Sequence, residues 1–192
     1  MILSGDYETP SFIENRYTRE ELEDHFRLFA TSVISESGSY DLYMSAAGEP
    51  FSAANPLGTI NYQQFDELTF WDPDTDSDNF DEGEYILYLT ESGASEPFFK
   101  SATISFAYDT EYVLVLRTTS GAIQDNVVVD LIVNSSAVAN YADEDATAQY
   151  RVYNSLDDEK SVSLILAGNE GTSVDTALNA NTLSESFNCD LR

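Results

Sequence analysis

Positive charge is what this sequence has least of. Eight Lys and Arg stand against 35 Asp and Glu in 192 residues, a formal charge of -27. Such a chain repels phosphate backbones and anionic lipid at any useful distance, which argues against nucleic acid and bare membrane as partners. It suits salt or divalent cations, where screening over roughly 8 Å blunts self-repulsion, as in a marine or mildly halophilic host. The single cysteine, Cys189, has no internal partner and no recognisable activating context, so stability must come from packing and the redox compartment stays open. No stretch approaches the eighteen or so apolar residues of a membrane span. Residues 1–25 lack the basic start and apolar run of a signal peptide, and Leu3-Ser4-Gly5 has the shape of a lipobox without its cysteine. The expectation is either a cytoplasmic protein or an export signal outside this chain. With His25 as the only histidine, an imidazole-built metal site lacks partners. A Ser-His-Asp arrangement would rest on that one ring, with no nucleophile elbow to serve.

What is present supports a core: 42% of the residues are hydrophobic. Residues 1–17 carry no period and read as a loose arm. Thr18 and Glu21 have the spacing of a capping box, and Leu22 and Phe26 would share one face, so a short helix is predicted over 19–25 with His25 at its end. From Phe26 the period becomes two. Strand-length runs follow at 26–34, 39–45, 58–64, 67–71, 84–90, 101–107, 111–118 and 127–133, separated by turn residues such as Ser37-Gly38, Asn55-Pro56 and Ser92-Gly93. Tyr85-Ile-Leu-Tyr-Leu89 and Tyr112-Val-Leu-Val-Leu116 are apolar on both faces, as in central strands of a two-sheet sandwich. The predicted fold is all-β, an immunoglobulin-like antiparallel β-sandwich with a short N-terminal helix. Its predicted parts are an arm and helix over 1–25, a sandwich over 26–140, and a linker with a partial second repeat over 141–192.

The repeat rests on paired blocks. Phe26-Arg-Leu-Phe29 corresponds to Tyr150-Arg-Val-Tyr153, and Tyr40-Asp-Leu-Tyr43 to Val162-Ser-Leu-Ile165, with the same spacing onward to Phe65 and Phe187. The copy stops about halfway. A half sandwich leaves strand edges and apolar faces uncovered, so either the natural polypeptide continues or these strands dock elsewhere.

Ser39-Tyr-Asp-Leu-Tyr-Met-Ser-Ala-Ala-Gly-Glu-Pro50, Asn55-Pro-Leu-Gly-Thr59, Glu82-Gly-Glu-Tyr85 and Asp109-Thr-Glu-Tyr-Val-Leu-Val-Leu116 follow one another in order. This succession of a D-x-Y strand, a P-L segment, a G-x-Y strand and a final Tyr-led strand resembles the bacterial DUF4397 family. The likeness covers about residues 26–120, with 148–187 resembling the first half of a second copy. It implies a secreted, periplasmic or lipid-anchored β-sandwich, often in tandem, and supplies no catalytic residues. The acid run between Trp71 and Tyr85 looks like an insertion relative to that family's short turn.

That run, Asp72-Pro-Asp-Thr-Asp-Ser-Asp-Asn-Phe-Asp-Glu-Gly-Glu84, is the one stretch with site-like chemistry: seven carboxylates in thirteen residues. Asp72, Asp74, Asp76, Asp78 and Asp81 with backbone carbonyls could form an irregular Ca²⁺ site of hard oxygen donors. EF-hand grammar fails in either register, because Ser77 and Gly83, or Asn79 and Tyr85, fall where Gly and Glu belong. The competing reading is a solvated hairpin loop whose charge discourages edge aggregation. Trp71, with Tyr62, could form a sugar-stacking platform beside the loop; packing against a neighbouring strand is the alternative. With 35 acids, carboxylate pairs arise by number alone and carry almost no information about glycoside chemistry.

The sequence therefore points to a non-enzymatic cell-envelope or secreted module acting in binding, adhesion or surface structure. Ca²⁺ is the one candidate cofactor, none is required, and the partner is a protein or glycan at the cell surface or further copies of the domain. A carbohydrate-binding module using exposed aromatics is the alternative, and a glycoside-active enzyme the third reading.

Overall fold

The computed structural model describes residues 2–5, 8–14, 21–35, 38–69, 80–119, 126–133, 137–156, 160–163, 165–168, 171–174, 178–184 and 187–190. The chain divides into two compact units, Met1–Glu144 and Asp145–Arg192.

Among its described residues the first unit has twelve strands in chain order: β1 (Ile2–Gly5), β2 (Pro10–Ile13), β3 (Arg27–Ser32), β4 (Tyr40–Ala46), β5 (Asn55–Ile60), β6 (Asp66–Leu68), β7 (Gly83–Glu91), β8 (Phe99–Lys100), β9 (Ile104–Phe106), β10 (Glu111–Thr118), β11 (Val127–Val133) and β12 (Ala137–Ala142). They form an all-β sandwich. One sheet runs β12-β11-β10-β3-β6, and the other runs β5-β4-β7-β8 with β9 also on β7. Alternation sends one side chain set into the gap between them. Leu28, Ala30, Tyr112, Leu114, Leu116, Val129 and Leu131 come from the first sheet, and Leu42, Met44, Ile60, Leu87, Leu89, Phe99 and Ile104 from the second.

Most pairings are antiparallel, but β3 lies parallel to β10, in register from Arg27 opposite Glu111 to Ser32 opposite Leu116. β7 is buried on both faces because Phe51, in the 3-10 turn Phe51–Ala53, covers the outer side: its ring lies 5.3 Å from Tyr88 and 5.2 Å from Tyr43. In the β4–β5 pairing the register shifts between Leu42 and Tyr43 of β4. Leu42 faces Gly58 and Tyr43 faces Pro56, so Leu57 is the bulged residue. The bulge turns Leu57 and Ile60 into the core together, three residues apart. Gly58 makes it feasible, holding φ +147° with the Leu68 Cδ2 atom 3.3 Å from where a Cβ would sit.

Two local expectations need correcting. The arm over 1–17 contains a hairpin, with β1 and β2 paired from Ile2 opposite Ile13 to Gly5 opposite Pro10, and Ile13 is buried. The helix expected over 19–25 is not seen over its described part: Glu21–His25 are irregular, and no α-helix occurs among the described residues. Asp24 takes φ +56°, and the His25 carbonyl accepts the Asp109 amide at 3.0 Å, so tertiary contacts claim this segment. Thr18, the proposed cap, lies outside the described residues.

The second unit comprises β13 (Thr147–Tyr150), β14 (Tyr153–Asn154), β15 (Ile165–Gly168), β16 (Gly171–Val174), β17 (Thr182–Leu183) and β18 (Phe187–Asp190). β13 pairs β18, β14 pairs β17, Val162 bridges Leu178, and β15 pairs β16, each pair enclosed by the one before. The unit is one antiparallel ribbon folded back on itself. The same nesting recurs in the first unit, where the β3–β6 pair encloses β4–β5. Buried Asn154 holds the ribbon: its Nδ2 donates to the Lys160 and Leu178 carbonyls, each at 2.9 Å, and its Oδ1 accepts the Leu156 amide at 3.1 Å.

Candidate functional site

Of the expected cation ligands, Asp72, Asp74, Asp76 and Asp78 lie outside the described residues, as does Trp71. Asp81 is described, and so are both mountings of the loop. On the way in, Leu68 at the end of β6 is buried and stands opposite Leu28 of β3. On the way out, Phe80 is buried and bridges Phe26, whose amide donates to the Phe80 carbonyl at 3.2 Å. The acid run thus leaves and returns beside the same strand end, two residues apart along the chain from Phe26 to Leu28.

Phe26 is the hub of that mounting. Its ring stacks on Phe80 at 4.9 Å and on Phe106 at 4.8 Å, and meets Tyr112 edge-on at 5.6 Å. An apolar residue amid carboxylates is therefore the anchor that returns the loop to the core. Behind it, the Tyr85 hydroxyl donates to the Asp81 carbonyl at 2.9 Å. Gly83 lets that ring pass, since a Cβ there would lie 3.1 Å from Tyr85 Cε2. The G-x-Y motif is thus a device for tying down the loop exit.

The electrostatics at this end are acidic. Burial raises the Tyr108 phenol above its ordinary value, and Asp81, Glu82 and Asp24 raise it further, against a bond to the Glu82 backbone that lowers it. No group of three or more His, Cys, Asp or Glu side chains at ligand spacing occurs among the described residues. Asp81 offers an exposed carboxylate beside the exit, while its carbonyl accepts from Tyr85.

Tyr62 sits elsewhere in role. It is half-buried, bridges Ser32 in parallel sense, and its hydroxyl accepts from Gln63 Nε2 at 2.9 Å. Gln63, at φ +58°, also donates to Ser11 Oγ, which joins this corner to the β1–β2 hairpin. Tyr62 and Gln63 together thereby join three segments of the fold. His25 directs Nδ1 to the Glu23 carbonyl at 2.8 Å, a local contact within an irregular turn. Cys189 stands opposite Ala148 in the second unit.

Two charge arrangements escaped the sequence reading. Arg27 forks onto Glu67, with Nε to Oε1 at 2.7 Å and Nη2 to Oε2 at 2.9 Å, while Nη1 lies 3.6 Å from buried Glu111. Its guanidinium also sits 4.9 Å over the Phe29 ring. Asp41, the acid of the D-x-Y motif, accepts from Thr59 Oγ1 at 2.6 Å and from the Gly93 amide at 3.0 Å, clamping β5 and the Ser92–Gly93 turn to β4. The available signal was a charged residue inside an otherwise apolar run, here in a chain with only eight cations.

No family model matches this chain, and no curated protein matches it in sequence.

Proposed function

We propose that this chain is a non-catalytic β-sandwich module of the cell envelope or extracellular space, acting in binding, adhesion or surface structure, with the 72–84 loop as its Ca²⁺-responsive element. The observation that carries the reading is the double mounting of the acid run at Phe26 and Leu28, through buried Phe80 and Leu68. A rigid scaffold presenting one long variable loop is how binding modules display a functional segment. Four carboxylates between the two fixed posts, with Asp81, Glu82 and Glu84 just beyond the second, repel one another, and a divalent cation relieves that repulsion.

The likeness to DUF4397 adds support of the same kind. Asp41 clamps a turn, Leu57 fills a bulge, Gly83 and Tyr85 tie a loop exit, and Tyr112 packs in the core while its hydroxyl accepts the Ala107 amide at 2.9 Å. Each motif residue has a scaffold role, which favours a module over an enzyme.

The test is the thermal midpoint and calorimetric binding of the chain in Ca²⁺, Mg²⁺ and chelator, with Asp74→Asn and Asp76→Asn together as control. A Ca²⁺-specific rise that the double variant abolishes is expected, by linkage of binding to folding. A response equal for both cations and reproduced by monovalent salt at matched ionic strength overturns the cation role.

A further inference from the structure

Exposed strand edges offer unpaired backbone donors and acceptors, and proteins guard them with shortness, charge, proline or bulges. Three edges of this sandwich are guarded. β6 has only three residues, including Asp66 and Glu67. β5 carries Pro56 and the bulge at Leu57. β8 has two residues and follows closely on Pro97. The fourth, β12, is six residues of Ala-Val-Ala-Asn-Tyr-Ala, with no charge, proline or glycine.

β12 pairs with β11 on one side, from Val133 opposite Ala137 to Val128 opposite Ala142, and ends the sheet on the other. Ala139 and Tyr141 turn toward the core. Val138 on the opposite face is 66% exposed. The nearest carboxylates are engaged: Asp143 Oδ1 accepts the Lys100 amide at 3.0 Å, Glu144 Oε2 lies 3.1 Å from Lys100 Nζ, and Asp130 accepts Asn140 Nδ2 at 2.7 Å, Arg117 Nε at 2.7 Å and Arg117 Nη2 at 3.2 Å. That pairing holds the Arg117 guanidinium toward its charged form. β12 carries no charged side chain of its own in a chain of -27.

We propose that β12 is a self-association edge, on which two copies of this chain pair β12 to β12 in antiparallel sense and continue one sheet into the other. The chemistry selects the occupant. A cationic peptide finds no carboxylate on β12 itself to meet, and a strand with acidic side chains sets them at the contact itself, where salt screens least. An uncharged strand fits, and the one at hand is β12 itself. Antiparallel self-pairing satisfies the outward amides and carbonyls of both copies and covers part of each Val138. The inference stands independently of the cation loop. Because each copy carries -27, the contact is opposed at long range and favoured locally, so association tightens as salt rises.

The test is sedimentation equilibrium of the full chain from low salt to about 1 M monovalent salt, where the screening length is only ~3 Å. A monomer–dimer equilibrium that shifts toward dimer with salt is expected. Val138→Lys, at an exposed position, should weaken it by about tenfold or more by placing like charges at the junction. Hydrogen exchange on the unaltered chain gives a second readout that no folding defect can confuse: alternate β12 amides, those not bonded to β11, should gain protection in the dimer. A monomer at every salt concentration overturns the proposal. So does association that weakens with salt, that persists unchanged in folded Val138→Lys, or that protects amides elsewhere and not on β12.

Discussion

Phe80 lies on Phe26 with ring centroids 4.9 Å apart and planes 18° from parallel, while its carbonyl accepts the Phe26 amide. The pair closes the acid loop and one end of the core at once. Phe80→Ala removes a buried ring that is only 3% exposed and should cost about 3–5 kcal/mol by urea denaturation. Asp74→Asn with Asp76→Asn, measured in chelator, should stay within about 0.5 kcal/mol of the parent. Equal losses in the two variants would mean that Phe80 is no anchor.

Arg27 faces Glu67 through a fork and Glu111 through a buried ion pair at 3.6 Å. Arg27→Met leaves the Glu111 carboxylate, 5% exposed, without its cation and should cost about 3–5 kcal/mol. Adding Glu111→Leu should recover most of that loss, because the desolvated charge goes too. Arg27→Lys keeps the charge but cannot reproduce the fork or its fit over Phe29, and should fall between. A double-mutant cycle in denaturant with no coupling between positions 27 and 111 would refute this account.

The Tyr108 phenol is raised by burial, then by Asp81, so the fold favours its neutral form. A folded value above the unfolded value near 10 means that the folded state holds the proton longer. The contribution to stability is fully present below about pH 10 and is lost as pH rises through the raised value. Asp81→Asn should bring Tyr108 back toward ordinary behaviour. The difference in tyrosinate absorbance between each protein and its Tyr108→Phe counterpart checks this; an unchanged curve would show that Asp81 does not act on Tyr108.

Asn154 saturates three backbone groups inside the second unit. Asn154→Leu removes one hydrogen bond from each of the Lys160 and Leu178 carbonyls and the acceptor of the Leu156 amide, and should cost about 2–4 kcal/mol, enough to open this unit while the sandwich persists. Limited proteolysis should then cut within 145–192 and spare 26–144. Simultaneous digestion of 26–144 would overturn this prediction.

Legibility followed the strength of the local signal. β10 and β11 run over Glu111–Thr118 and Val127–Val133, the limits that the apolar runs predicted, because strands buried on both faces leave little ambiguity. β5 starts three residues before the predicted run over 58–64, as a bulge breaks the period-two rule that locates it. β12 was read partly as linker: three alanines and an asparagine have little strand propensity, and pairing with β11 supplies what composition does not. The capping box of Thr18 and Glu21 was a genuine local signal that tertiary contacts at Asp24 and His25 outweighed. At the candidate site the acid run was plain, yet its mounting was not. Phe80 among acids reads as loop until its distant partner Phe26 is known.

The parallel pairing of β3 with β10 has a mechanical side. β10 runs antiparallel to β11 and β11 to β12, so the first and last strands of the sandwich point the same way. Tension pulling the chain apart on either side of the sandwich enters at Arg27 and leaves at Ala142, at opposite ends of the sheet. It loads the ladders along their length, so hydrogen bonds must yield as a set and cannot be unzipped one by one. Rupture under such a load is governed by the unfolding rate, not by equilibrium stability. The geometry is that of a tether, able to carry force between whatever holds its two ends.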